Sequence, residues 1–190
     1  MRVLRSVIAV GLLPLFAGTA AAQGDLPERI EKARAVAADF GARLLTELQK
    51  AIAAGGPLNA IGVCNTIAPE IAAEKSAAAQ MSVGRTSLKL RQPKNEPDAW
   101  ELQQLQRFEA RKAAGENPAA IEVGEYVEKD GKPVFRYMKA IPTGGVCLNC
   151  HGTQVSPEVA AKLHELYPQD RATGFAAGDL RGAFTITAPR

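Results

Sequence analysis

The chain has 190 residues, 46% of them hydrophobic and 23% charged, with a formal net charge of +3, three cysteines and two histidines. This is the composition of an ordinary globular domain, and it excludes collagen-like, low-complexity and disordered chains. The small positive balance excludes a basic nucleic-acid-binding surface, the more so because part of it lies in the first few residues.

Arg2 and Arg5 precede an apolar run from Val7 to Ala17, and Ala20-Ala21-Ala22 follows. This is the order of a secretory signal peptide over residues 1–22, ending in a small-residue cleavage site. The run is too short to span a bilayer and contains Pro14, so cleavage is expected rather than retention as an anchor. No other stretch approaches membrane length, and the mature chain is expected to be periplasmic with no membrane span. Cleavage takes two arginines from the +3 and leaves +1 on residues 23–190, enough chain for one domain around one core.

From Leu26 to Ala54 the residues Ile30, Ala33, Ala37, Phe40, Leu44, Leu48 and Ile52 recur at three and four positions, the pattern of a long amphipathic helix. Gly55-Gly56 ends it. Pro57 can open a second helix, along which Ile61, Cys64, Ile67 and Ile71 continue an apolar stripe. Pro69 removes the donor for the Asn65 carbonyl, so a kink or a fresh start capped by Thr66 is expected beside Cys64. At this break Cys64 reads either as a small buried hydrophobe or as a metal ligand.

Met81 to Arg91 alternates as a strand, with Arg85, Ser87, Lys89 and Arg91 on one face and Thr86, Leu88 and Leu90 on the other. A basic row of this kind is either a solvated face or a carboxylate-binding one. Asp98 with Glu101 makes a capping box for a helix over Ala99 to Ala114, whose Trp100, Leu105 and Phe108 read as packing, and Gly115 terminates it.

Ile121 to Glu128 and Lys132 to Ile141 alternate as two strands, joined at Asp130-Gly131 by the strongest short hairpin signal. The second strand delivers the chain to Cys147-Leu148-Asn149-Cys150-His151, a C-x-x-C-H run flanked by Gly144-Gly145 and Gly152. That spacing is the signature of c-type haem attachment: two thiols add to the two vinyl groups of one porphyrin edge, and the adjacent imidazole becomes an axial ligand. Haem c is assembled outside the cytoplasm, so the export signal and the motif support each other. Arg85 and Arg91 then become candidates for pairing with haem propionates. A redox dithiol would want its first cysteine opening a helix within a βαβ unit, which is not the pattern here. A structural zinc site from Cys64, Cys147, Cys150 and His164 is the better rival, but it leaves His151 without a role.

Ser156-Pro157 opens a short helix through Leu166, and Gly182 to Thr187 is a last strand. The fold class is α+β, helices first and then an antiparallel sheet with helices inserted. There is no internal repeat, no phosphate-binding glycine loop and no G-x-S-x-G elbow. Four side chains could take the iron's sixth position: Cys64, His164, Met81 and Met138. Cys64 combines an inward place, a helix break that can aim it and an odd thiol in an oxidising compartment.

The chain also resembles a family of small exported or sensor-borne c-type haem domains with a PAS-like fold and a cysteine–histidine axial pair. The residues that carry the resemblance are Val63-Cys64-Asn65, the stretch Gly84 to Pro93, Pro97-Asp98-Ala99-Trp100-Glu101 and the terminal C-x-x-C-H. It implies a PAS-like sheet with long N-terminal helices packed against it, enclosing one haem c covalently held by Cys147 and Cys150. It also implies His151 and Cys64 as the axial ligands. The function expected is exported low-potential electron transfer or redox sensing through an unidentified redox or signalling protein partner. A haem-based CO or NO sensor acting through a partner is the alternative. Two strong axial ligands and no visible acid–base dyad argue against an enzyme.

Overall fold

The structure, a computed structural model, describes residues 24–190, and the signal peptide expected over residues 1–22 lies outside them. Helix α1 runs Leu26–Gly62 and is broken where Gly55 (φ −164°) and Gly56 (φ 72°) leave helical geometry, after which Pro57 restarts it. Only glycine takes the second of these conformations without strain. A single π turn, Val63–Ile67, then leads into α2, Ala68–Ala79. The expected fresh start capped by Thr66 does not occur. The Thr66 hydroxyl donates back to the Gly62 carbonyl at 2.8 Å, and Ala68 N–H donates to Val63 O, five residues back. Widening the helix by one residue absorbs the donor that Pro69 lacks.

Strands β1 (Ser82–Thr86), β2 (Glu122–Lys129), β3 (Lys132–Pro142) and β4 (Leu180–Pro189) form one antiparallel sheet in the order β1-β4-β3-β2. The β2–β3 hairpin turns at Asp130 (φ 53°) and Gly131 (φ 72°), the two left-handed positions that an Asp-Gly turn supplies. Strand β1 is shorter than the alternation over Met81 to Arg91 predicts, because its last pair is Thr86 with Ala183. Next to that pair Gly182 passes so close that a Cβ would lie 2.2 Å from the Thr86 carbonyl oxygen, and Ser87 Oγ donates to Arg181 O at 2.7 Å instead of letting the ladder continue. Arg91 is therefore not on a strand and shares no face with Arg85.

Alternation along the strands gives the sheet two covered faces. Ala33, Ala37 and Phe40 of α1 and Ile71 of α2 pack on Phe135, Tyr137 and Ile186. On the other face Leu105 and Phe108 of α3 (Ala99–Ala113) pack on Met138, Ala140 and Ala183, with Trp100 against the same cluster. The Asp98–Glu101 capping box is formed. Contrary to the expectation of no second stretch of membrane length, the run Leu26–Ala79 passes as a span by length and hydropathy, with a mean hydropathy of 1.2 over its apolar stretch. The helix is broken at Gly55-Gly56 within that run, and 22% of the apolar stretch is buried.

Candidate functional site

A cavity of about 400 Å³ lies between the later part of α1 and the sheet surface where β4 begins. Leu44, Leu48 and Ile52 form its apolar wall on α1, and Cys64 reaches it from the π turn. Arg85 comes from β1, Arg181 from the start of β4, and Cys147, Cys150 and His151 from the loop after β3. The sequence-predicted site residues Cys64, Arg85, Arg91, Cys147, Cys150 and His151 thus all line one space.

The motif is wound tightly. A 3₁₀ turn, Gly145–Cys147, runs into the single-turn α4, Leu148–His151, and Gly152 closes it, where a Cβ would lie 2.6 Å from the Leu148 carbonyl oxygen. Three and four residues apart on one turn, Cys147, Cys150 and His151 project to neighbouring positions. None of the three cysteines is in a disulfide. Burial pushes the Cys150 thiol up, the opposite of what activates a redox dithiol.

A segment after helix α5 (Pro157–Leu166) clamps the motif from behind. Phe175 N–H donates to the His151 carbonyl at 2.9 Å, and Gly174 N–H to that of Gly152 at 3.0 Å. Arg91, 7% exposed, pairs with Asp170 at 3.0 Å and donates through the same Nη2 to the Cys150 carbonyl at 2.6 Å. Asp170 in turn accepts from Ala172 N–H at 2.8 Å. Arg91 therefore ties the attachment turn to the segment that supports His151.

His151 Nδ1 lies 2.6 Å from the Ala172 carbonyl and donates its proton there. That fixes the tautomer and leaves the Nε2 lone pair available to a metal. Burial, with the Arg181 and Arg91 charges beside it, lowers the imidazole pKa to about 2, so the ring is neutral. The Arg181 Nε lies 3.2 Å from Nδ1 and 3.4 Å from Nε2. Because Nδ1 carries its proton toward Ala172, Nε2 is the ring's acceptor, and Arg181 Nε at 3.4 Å and Arg91 Nη1 at 3.5 Å both approach it as donors. Arg85 has a cation–π contact with Phe40, 5.5 Å from the ring centroid, and no hydrogen bond or ion pair among the described residues. Its burial depresses its pKa, an effect the nearby Cys64 thiol opposes.

Of the other candidates for an iron ligand, Met81 and Met138 are buried in the two core clusters and His164 is exposed on α5; none lines the cavity. Without His164 the zinc quartet does not assemble, and among the described residues no three His, Cys, Asp or Glu side chains gather as a metal-binding group.

The Tll0287-like family model matches residues 14–189, nearly the whole chain. The chain belongs to the Tll0287-like family. Its fold, a four-stranded antiparallel sheet with a long N-terminal helix, matches that of a solved structure, the crystal structure of the cyanobacterial heme-protein Tll0287. The TM-score is 0.66 at 25% identity, over 86% of this chain and 96% of that one. No curated protein matches.

Sequence reasoning missed three cavity residues of this Tll0287-like chain or their supports: Arg181, Asp170 and Tyr167. Arg181 falls one residue before the strand predicted from Gly182. Asp170 and Tyr167 sit in a polar, turn-rich stretch with no periodicity, where nothing local signals a role.

Proposed function

We propose that the protein is an exported monohaem c-type cytochrome with a PAS-like domain, that it carries electrons or senses redox state for a protein partner, and that it is not an enzyme. The observation that supports this best is the meeting of both motif thiols, a neutral His151 whose Nε2 carries no proton and the Cys64 thiol on the wall of one cavity. The volume lies within the range of cofactor pockets. The lining suits a porphyrin: leucine and isoleucine on the α1 side, and on β1 an unpaired guanidinium able to meet a carboxylate. When bound, the haem would supply a one-electron centre.

The chain's residues divide the work of holding it. Cys147 and Cys150 would attach the haem through thioethers, and His151 Nε2 would be one axial donor. Cys64 would be the other. Of the two arginines, Arg91 is committed to Asp170 and the Cys150 carbonyl, so Arg85 carries the propionate role. A Cys64 thiolate donates negative charge and favours ferric iron, which holds the potential below that of a His/Met cytochrome. With both His151 and Cys64 on the iron, no position would remain for a substrate.

The test is Cys64→Ala. The haem stays attached, as read by intact mass, while the thiolate charge-transfer absorption disappears and the potential rises. A variant with the parent's ferric spectrum and potential would show that another residue holds the iron.

A further inference from the structure

Gln92 stands on the cavity wall beside Arg91, and the two side chains go to different places. The Gln92 amide nitrogen donates to Asn65 Oδ1 at 3.2 Å, a partly buried bond between residues 27 apart in the chain. Asn65 follows Cys64 in the π turn Val63–Ile67. Arg91 holds the Cys150 carbonyl and Asp170. Two consecutive residues thus reach the two segments that bring Cys64 and His151 to one cavity.

The base from which they reach is itself fixed. Pro93 restricts Gln92 to extended backbone, and its φ of −106° and ψ of 119° lie in that range. Asn95 N–H donates to the Gln92 carbonyl at 3.0 Å. The Thr86 hydroxyl donates to the Asn95 carbonyl at 3.0 Å, which returns the loop to the end of β1. Arg171 N–H donates to the Leu90 carbonyl at 2.7 Å and joins the same loop to the segment behind His151. The Gln92 side chain makes no cap for the 3₁₀ turn that follows, Pro93–Asn95, and goes to Asn65 instead. At the far end of that bond, Ala68 N–H reaches back five residues to Val63 O, so Cys64 and Asn65 sit in a turn one residue wider than an α turn. A hold on Asn65 from outside the helix fixes how that wider turn faces the cavity.

We propose that Gln92 is a positioning residue for the axial sulfur: through Asn65 it holds the π turn so that Cys64 faces the iron, while Arg91 holds the His151 side from the same loop. The inference rests on the haem reading above and deepens it. Gln92 acts through Asn65 and Cys64 and needs no contact of its own with metal or sulfur.

Gln92→Met keeps the length of the side chain and removes its amide. In the haem-loaded protein the Cys64-bound ferric form then loses about 2- to 10-fold in equilibrium, the worth of one net hydrogen bond. The imidazole concentration that displaces the sulfur, read from loss of the thiolate charge-transfer absorption, falls by that factor. The potential rises by about 20–60 mV, at 59 mV for each tenfold change. Asn65→Leu removes the other half of the bond. The double variant Gln92→Met/Asn65→Leu shifts no further than the larger single, because all three lose the same interaction. A Gln92→Met protein with the parent's imidazole midpoint and potential overturns the proposal, as does a double variant whose shift is the sum of the singles. Failure of the haem reading shows elsewhere, in a Cys64→Ala protein whose ferric spectrum matches the parent's.

Discussion

Arg91→Met breaks the tie between the attachment turn and the segment behind His151. It leaves the Asp170 side chain, 11% exposed, without its cation. Removing one partner of a buried pair costs about 3–5 kcal/mol. The Cys150 carbonyl also loses a charged donor at 2.6 Å, a bond worth about 1.5–3 kcal/mol by itself. Both losses come from one guanidinium and overlap, so the expected destabilisation is about 4 kcal/mol, a large part of the roughly 5–15 kcal/mol that holds a domain together. At this chain length that lowers Tm by about 8–16 °C. Asp170→Asn strands the opposite charge, and the double variant Arg91→Met/Asp170→Asn strands neither, so the singles should not add. Reversible urea unfolding of the haem-loaded protein, followed by far-UV circular dichroism, gives the cycle. A loss under about 1 kcal/mol for Arg91→Met, or single effects that sum to the double within about 0.5 kcal/mol, would refute the clamp.

Arg85→Gln removes a positive charge from the cavity wall beside Cys64. The expected outcome is a lower reduction potential in voltammetry with no loss of folding stability; an unchanged potential would take Arg85 out of the haem's surroundings. Glu122 is lowered from 4.5 to about 2, chiefly by its hydrogen bonds from Arg34 and then from Tyr137, against the effect of burial. A depressed carboxyl stabilises the fold above its unfolded pKa, and that contribution, about 1 kcal/mol after solvent screening of a pair whose Arg34 is exposed, is lost as pH falls from about 4.5 toward 2. In acid titrations of stability Glu122→Gln should flatten this decline, and a slope identical to the parent's would contradict it.

Features that depend on adjacent residues are legible in the chain as a string of letters. C-x-x-C-H, the Asp98–Glu101 box, the Asp130-Gly131 turn and the Gly55-Gly56-Pro57 break each carry their geometry in a few consecutive residues, and each stands where the pattern places it. Cys64 is legible for a different reason, as an odd thiol beside a proline-disturbed helix. Strand β1 comes out shorter than its alternation because alternation cannot report where a partner ends. Here the ends are set by Gly182 against Thr86 and by Arg181 against Ser87, 94 residues apart in the chain. Arg181, Asp170 and Tyr167 matter through contacts with residues distant in the chain, and their own neighbours give no sign of it.

The π turn at Val63–Ile67 makes this stretch intolerant of changes in length. Ile61 is held against α5 on one side of it and Ile71 against the sheet on the other, so each flanking helix has its rotation fixed by a different partner. The wide turn takes up one surplus residue between them. Deleting the surplus residue would let the ladder revert to its ordinary i to i−4 pairing and leave the flanking helices in nearly their present rotation. The change would fall inside the turn, on the direction of Cys64 at the cavity wall. In transplanting the site to another helical scaffold, the number of residues between Ile61 and Ile71 would have to be kept as strictly as the cysteine itself.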